Sequence, residues 1–300
     1  MTATTTLRLG TRGSRLALAQ AREAADAVAR MLSVGSVQVI EIRTKGDALS
    51  ERRPTGHFEA TDGQFTGELE QALLEGRIDI AVHSLKDLPT ASQGDLRLGA
   101  ILERADPRDR LLSRHPGGLD DLPFGATIGT SSVRRAAQLA ASRSDLVARP
   151  IRGNVDTRLR RLEAGEYDAV VLAAAGLDRL GIPAREDQPL PLDLMLPAPG
   201  QGALALQIRR DNGALGAELA GLDHAPTRAA VQAERALLRA LGGGCLAPLG
   251  ALGEVCDGQL RLRAAYEGRH GFARVDISGP SDRPPEVVAE VAARIREATA

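Results

Sequence analysis

Cys245 closes a run of three glycines in Leu241-Gly-Gly-Gly-Cys-Leu-Ala-Pro-Leu-Gly250. Glycines carry no side-chain bulk and open backbone angles closed to other residues, so a thiol beside them can be reached by a large partner. The only other cysteine is Cys256, and no Cys-x-x-Cys occurs, which argues against a zinc site or a redox pair. Taken alone, Cys245 is a nucleophile, an attachment point or a small apolar filler, since free cysteine also packs as a hydrophobe. Four polar clusters join it. Thr11-Arg12-Gly13-Ser14 sets a cation at a helix start, where free backbone N–H groups make an anion site. His83-Ser-Leu-Lys-Asp-Leu-Pro89 puts Lys86 beside Asp87. Gly129-Thr-Ser-Ser-Val-Arg-Arg135 places the hydroxyls of Thr130, Ser131 and Ser132 just before Arg134 and Arg135. Ile151-Arg-Gly-Asn-Val-Asp-Thr-Arg158 opens another helix with Arg152, Asn154 and Arg158 nearby.

Any one of these clusters could be a capped helix with solvated arginines. Four at equivalent positions point instead to a polyanionic ligand, because arginine offers two-pronged recognition of carboxylate or phosphate. No G-x-x-x-x-G-K-[ST] or G-x-G-x-x-G string is present, so a nucleotide is disfavoured, and the five histidines show no metal-ligand spacing. Asp87 is the acid–base candidate beside the cations; capping the turn before Pro89 is its other possible role.

The elements that must hold these residues alternate. Leu7–Leu9 is a short strand, and Ser14 caps a helix running to about Leu32. A strand over Val37–Ile42, a polar loop over 48–63, a helix from about Thr66 to Glu75 and a strand over Ile78–Val82 follow. After the turn at Asp106-Pro-Arg-Asp109 the rhythm resumes. It gives strands at 126–129, 147–151 and 168–173, and helices starting near Ser132 and Val155. This pattern predicts two α/β domains with largely parallel sheets and helices on both faces. Ligands then sit at the carboxyl ends of strands, in a cleft between the domains. From about His224 the pattern changes to a long helix, the glycine loop, strands near 259–266 and 272–278, and a final helix from Pro285: an α+β module.

Composition narrows the classes. With 43% hydrophobic and 26% charged residues, 300 residues suffice for two or three globular domains. A net charge of −1, 2% aromatic residues and no tryptophan argue against nucleic acid as a partner. No signal-like or membrane-spanning run is present, and two unpaired cysteines suit a reducing compartment, so a cytoplasmic location and no membrane partner are expected. Lys45 and Lys86 are the only lysines among 38 basic residues, which singles out Lys86.

These strings, taken in order, resemble the porphobilinogen deaminase (hydroxymethylbilane synthase) family over nearly the whole chain. The matching segments include Thr11-Arg-Gly-Ser14 with Leu16-Ala-Leu18-Ala-Gln20, Asp79–Pro89, Asp106–Asp109, Gly129–Arg135 and Arg152-Gly-Asn154. Further matches are Ala175-Gly-Leu177 with Arg179-Leu-Gly181, Gly200-Gln-Gly202, Ala233-Glu-Arg-Ala236 and Gly243-Gly-Cys245. The resemblance implies two periplasmic-binding-protein-like (type II) α/β domains, 1–102 with 200–221 and 103–199. It also implies a small α+β domain, 222–300, that carries the cofactor cysteine. The implied cofactor is a dipyrromethane joined to Cys245 by a thioether. Four porphobilinogen units are added to this primer with loss of ammonia, and hydroxymethylbilane is released by hydrolysis. Implied roles are Asp87 as the catalytic acid–base group, and Ser84, Lys86, Thr130, Ser131, Ser132, Arg134, Arg135 and Asn154 as cofactor contacts. Arg12, Ser14, Phe65, Arg152, Arg158 and Arg179 are the implied substrate contacts. A monomer is expected, with possible product hand-off to uroporphyrinogen-III synthase.

One position departs from the family. Where many members have Gly-Gly-Lys-Gly-Leu-Phe, this chain has Ala60-Thr-Asp-Gly-Gln-Phe65, so Asp62 stands in place of a lysine and takes no binding role. Arg52 or Arg53 is the expected substitute cation. Two rival classes are weaker. A solute-binding protein needs an export signal and no Cys245; a cysteine-nucleophile transferase or hydrolase needs a base near the thiol, and no histidine is close in sequence.

Overall fold

Alternation at the start of the chain buries Leu7 and Leu9 in the first strand and turns Arg8 outward, where it pairs with Asp79 at 2.8 Å. The computed structural model describes residues 6–32, 36–43, 66–90, 94–184, 188–244 and 247–300. The polar loop at 48–63 with Arg52, Arg53 and Asp62, together with Phe65 and Cys245, lies outside the described residues. In chain order the first elements are β1 (Thr6–Thr11), α1 (Arg15–Leu32), β2 (Ser36–Glu41), α2 (Gly67–Leu74), β3 (Ile80–Ser84) and β4 (Leu96–Ile101). Next come β5 (Asp109–Ser113), β6 (Thr127–Gly129), α3 (Val133–Ser142), β7 (Val147–Arg149), α4 (Val155–Glu163), β8 (Ala169–Ala173) and α5 (Ala174–Arg179). The last are β9 (Leu204–Arg209), α6 (Gly213–Leu219), α7 (Ala225–Ala240), β10 (Leu249–Cys256), β11 (Gln259–Gly268), β12 (Gly271–Pro280) and α8 (Pro284–Thr299). No helix of the described residues is long and apolar enough to cross a membrane.

The chain divides into two units. One comprises Met1–Ala105 and Ala203–Arg228, the other Asp106–Gly202 and Ala229–Ala300. The first holds a five-stranded sheet in the order β2-β1-β3-β9-β4. Its α1 face buries Ala21, Ala24 and Val28, at helical spacing, against Leu9, Ile80 and Leu206; the other face packs Leu69 and Leu73 of α2 against Ile78 and Ala81. Each such fully buried leucine or valine contributes roughly 1.5–3 kcal/mol.

The second unit holds a four-stranded sheet, β5-β8-β6-β7, and a three-stranded antiparallel sheet, β10-β11-β12. Leu139 of α3 covers one face of the four-stranded sheet, and Leu159 and Leu162 of α4 cover the other. Helices α7 and α8 share one face of the antiparallel sheet, through Leu237, Val291 and Ile295 on Leu262 and Ala264. The class is α/β with a small α+β C-terminal part.

The two larger sheets are mixed rather than wholly parallel. Strand β9 runs antiparallel to β3 and β4, and β5 runs antiparallel to β8. Each follows an irregular segment rather than a helix, and period alone does not reveal the direction in which a buried strand runs.

Candidate functional site

In the first unit the strand order switches between β1 and its neighbours β2 and β3, and a crevice at the carboxyl ends of such strands is where α/β sheets hold ligands. Two of the four clusters lie there. Ser14 accepts from the Ala17 N–H at 3.2 Å and so caps α1, leaving Arg12 half-buried just before the helix. After β3 the chain makes a 3-10 turn, Leu85–Asp87, that buries Leu85, half-buries Lys86 and exposes Asp87. Arg12, Gln20, His83, Ser84 and Asp87 line one cavity of about 80 Å³. Gln20 donates from Nε2 to Ser84 Oγ at 2.8 Å, which fixes the hydroxyl at the cavity wall.

His83 stands beside these groups, where no sequence motif marks a role for it. It is buried, and its Nε2 lies 2.9 Å from Gln207 Oε1 on β9. Burial, with the nearby Arg12 charge adding to it and the Gln207 bond opposing, lowers its pKa to about 4, so the imidazole is neutral. Gln207 in turn donates from Nε2 to Glu70 Oε1 at 3.1 Å, which ties β3, β9 and α2 together.

In the second unit the switch falls between β6 and its neighbours β7 and β8, and the remaining clusters lie at those strand ends. Ser132 caps α3 by accepting from Arg135 N, and Asn154 caps α4 by accepting from Thr157 N at 2.9 Å. Gly153 makes the turn before Asn154 at φ +103°, where a Cβ would also strike Thr157. Ser131 both donates to Ile151 O and accepts from Ile151 N, locking the two helix starts together. Thr130 is buried and accepts from Ser132 N. Arg152 and Asn154 are exposed, and Arg158 is half-buried with Nε on Gly153 O.

Arg134 and Arg135 turn inward. Both reach the fully buried Asp109, Arg134 Nη1 at 2.9 Å and Arg135 Nη2 at 2.7 Å, and Gln201 adds an N–H at 2.8 Å. Burial opposes the Asp109 charge, and these partners more than offset it, holding the carboxyl well below its usual range. One carboxylate therefore serves two guanidiniums. Arg158, with no carboxylate partner among the described residues, has its pKa lowered to about 10 by burial and by the like charge of Arg135. Arg135 Nε is buried without a hydrogen-bond partner among the described residues. Among the described residues, positive charge here exceeds what Asp109 balances, and an anionic ligand would offset the excess. Arg179, at the end of α5, donates to Gly202 O at 3.3 Å.

Asp109 and Gln201 are the anchors that the sequence strings contained without revealing their role. Glu234 of α7 is another. Its buried carboxylate accepts from Gly200 N at 2.6 Å and Gly253 N at 2.8 Å, which fixes the Gly200-Gln-Gly202 turn from which Gln201 reaches Asp109.

Comparison with known proteins matches residues 7–217 to the family model "Porphobilinogen deaminase, dipyromethane cofactor binding domain", and residues 228–297 to "Porphobilinogen deaminase, C-terminal domain". A porphobilinogen deaminase of Desulforudis audaxviator is 50% identical over 292 residues, covering 96% of this chain and 94% of that protein. One from Thermus thermophilus is 47% identical over 293 residues, covering 96% and 95%. Among solved structures, a methionine-binding protein aligns at 12% identity and a TM-score of 0.44, over 72% of this chain and 89% of that one.

Proposed function

The chain belongs to the porphobilinogen deaminase family, and from that membership we propose how its own residues carry the reaction. It is a transferase that joins four porphobilinogen molecules, with loss of ammonia, on a dipyrromethane cofactor and releases the linear tetrapyrrole hydroxymethylbilane. When bound, the dipyrromethane supplies the terminal pyrrole carbon to which each new unit is joined. The shortage of negative charge around Arg135 and Arg158 suits a group that bears an acetate and a propionate on every ring.

Cys245 holds the cofactor covalently. Lys86, Ser84, Thr130, Ser131, Ser132, Arg134, Arg135 and Asn154 surround its acidic arms, with the helix starts at 132 and 154 adding backbone donors. Arg12, Ser14, Arg152, Arg158 and Arg179 bind the carboxylates of the substrate, and Phe65 stacks on its ring. Asp87 accepts the pyrrole N–H. Its carboxylate also stabilises the positive charge left on the substrate as ammonia departs, and it moves the proton, uniting electrostatic stabilisation with acid–base catalysis. We read the domains as 1–102 with 200–221, 103–199 and 222–300. The enzyme acts as a cytoplasmic monomer, and the reactive hydroxymethyl end of its product suits direct hand-off to a uroporphyrinogen-III synthase.

The observation that carries this reading is the cavity where Arg12, Ser84 and Asp87 meet at the switch point of the first sheet. Intact mass of the purified protein tests it. The expected result is an excess of two pyrrole units in the parent and none in Cys245→Ser. Unmodified protein with full turnover would overturn the assignment.

A further inference from the structure

The side-chain chain Glu70–Gln207–His83 has a direction. Glu70 offers an acceptor, so the Gln207 amide turns its NH₂ toward it, and the Gln207 carbonyl oxygen then faces His83 Nε2. A carbonyl oxygen can only accept, so Nε2 carries the imidazole proton and Nδ1 carries a lone pair. Nδ1 has no hydrogen-bond partner among the described residues, and His83 lines the cavity with Arg12, Ser84 and Asp87. The cavity, at about 80 Å³, has room beside Nδ1 for a molecule of the size of water or ammonia. The Arg12 charge, already felt at the imidazole, disfavours a cation beside Nδ1.

We propose that His83 Nδ1 is a fixed neutral acceptor for a small neutral hydrogen-bond donor taking part in the reaction, either the ammonia that leaves or the water that enters. Both fit the chemistry already assigned. In each addition the CH₂–N bond of the protonated aminomethyl group breaks and its electron pair stays on nitrogen, giving neutral ammonia. In the release step the bond between the methylene carbon and the terminal pyrrole carbon of the primer would break, its electron pair staying on that ring carbon, which takes up a proton, while water joins the methylene carbon through oxygen and gives up a proton to Asp87. In either case Nδ1 orients a neutral N–H or O–H and need not take a proton. This inference rests on the functional reading above and adds a residue and a ligand to it.

The test uses the holoenzyme and two shape-matched substitutions. Asparagine can offer an oxygen near the position of Nδ1, whereas glutamine reaches the position of Nε2 and keeps the Gln207 link. Rapid-quench mixing with porphobilinogen, followed by intact-mass counting of enzyme-bound pyrrole units, separates the two sources. If ammonia is the occupant, His83→Gln slows every addition about ten-fold, the loss expected from one neutral hydrogen bond. If water is the occupant, additions keep their rate and the fully extended chain accumulates on the enzyme. In both cases His83→Asn outperforms His83→Gln. Equal or better performance by His83→Gln in both arms overturns the proposal and leaves His83 as a structural link. A second readout needs no turnover: ¹⁵N NMR of the parent imidazole should show a protonated Nε2 and a bare Nδ1, and the opposite tautomer also overturns it. A parent protein without the mass excess or without turnover would instead sink the functional reading.

Discussion

At the residue scale, two neighbours on one strand and its following turn divide the labour. Asp87 is exposed at the cavity mouth, where it can meet substrate, while His83 is buried and neutral behind it. Asp87→Asn should abolish turnover and leave the cofactor in place; intact mass and initial rate together check this, and near-normal activity would remove Asp87 from the mechanism. His83 makes a separate contribution to stability. Its native pKa of about 4 lies below the ordinary 6.5, so between those values the unfolded state holds more protons than the native one. Stability therefore falls as pH drops through that window, by about 3 kcal/mol from this group. Denaturant titrations at pH 6.5, 5 and 4 should show the loss, and His83→Gln should flatten it. Parallel curves for parent and variant would contradict the assignment. Arg12 is the charge felt at this histidine, and removing it would raise the native pKa and narrow the same window.

At the element scale, helix starts and one buried carboxylate set the positions of the arginines. The capping residues Ser14, Ser132 and Asn154 are legible from sequence because a small polar side chain before an apolar helical pattern satisfies an otherwise orphaned N–H. The inward turn of Arg134 and Arg135 onto Asp109 is not, since Asp109 lies more than twenty residues earlier and becomes their partner only when β5 pairs with β8. Glu234 acts at the same scale, joining α7 to the Gly200 turn and to β10. Glu234→Ala leaves two amides without their acceptor, at roughly 1–3 kcal/mol each. Thermal unfolding should show a clearly lowered midpoint; one within error of the parent would mean that the amides find other partners.

At the scale of the whole molecule, the chain concentrates positive charge in one corner of its second unit and leaves it to an anionic ligand to balance. The loaded protein should consequently be more stable than the unloaded one. Cys245→Ser, which cannot hold the cofactor, is expected to melt several degrees below the parent, and the gap should narrow at high salt as ions screen the arginines. Equal melting points would show that the cofactor does not neutralise this corner. Sequence alone determined the α/β rhythm, the helix caps, the family and the strings that carry the chemistry, because hydrophobic period and capping are local properties of the chain. It also singled out Cys245, which is written in residue type alone. Only the tertiary structure decided that Arg134 and Arg135 reach Asp109, that β9 and β5 run against their neighbours, and that His83 meets Gln207 at the wall of the cavity. Each of these depends on partners more than twenty residues away in the chain, and no window of sequence encodes the direction of a buried strand or the far end of a hydrogen bond.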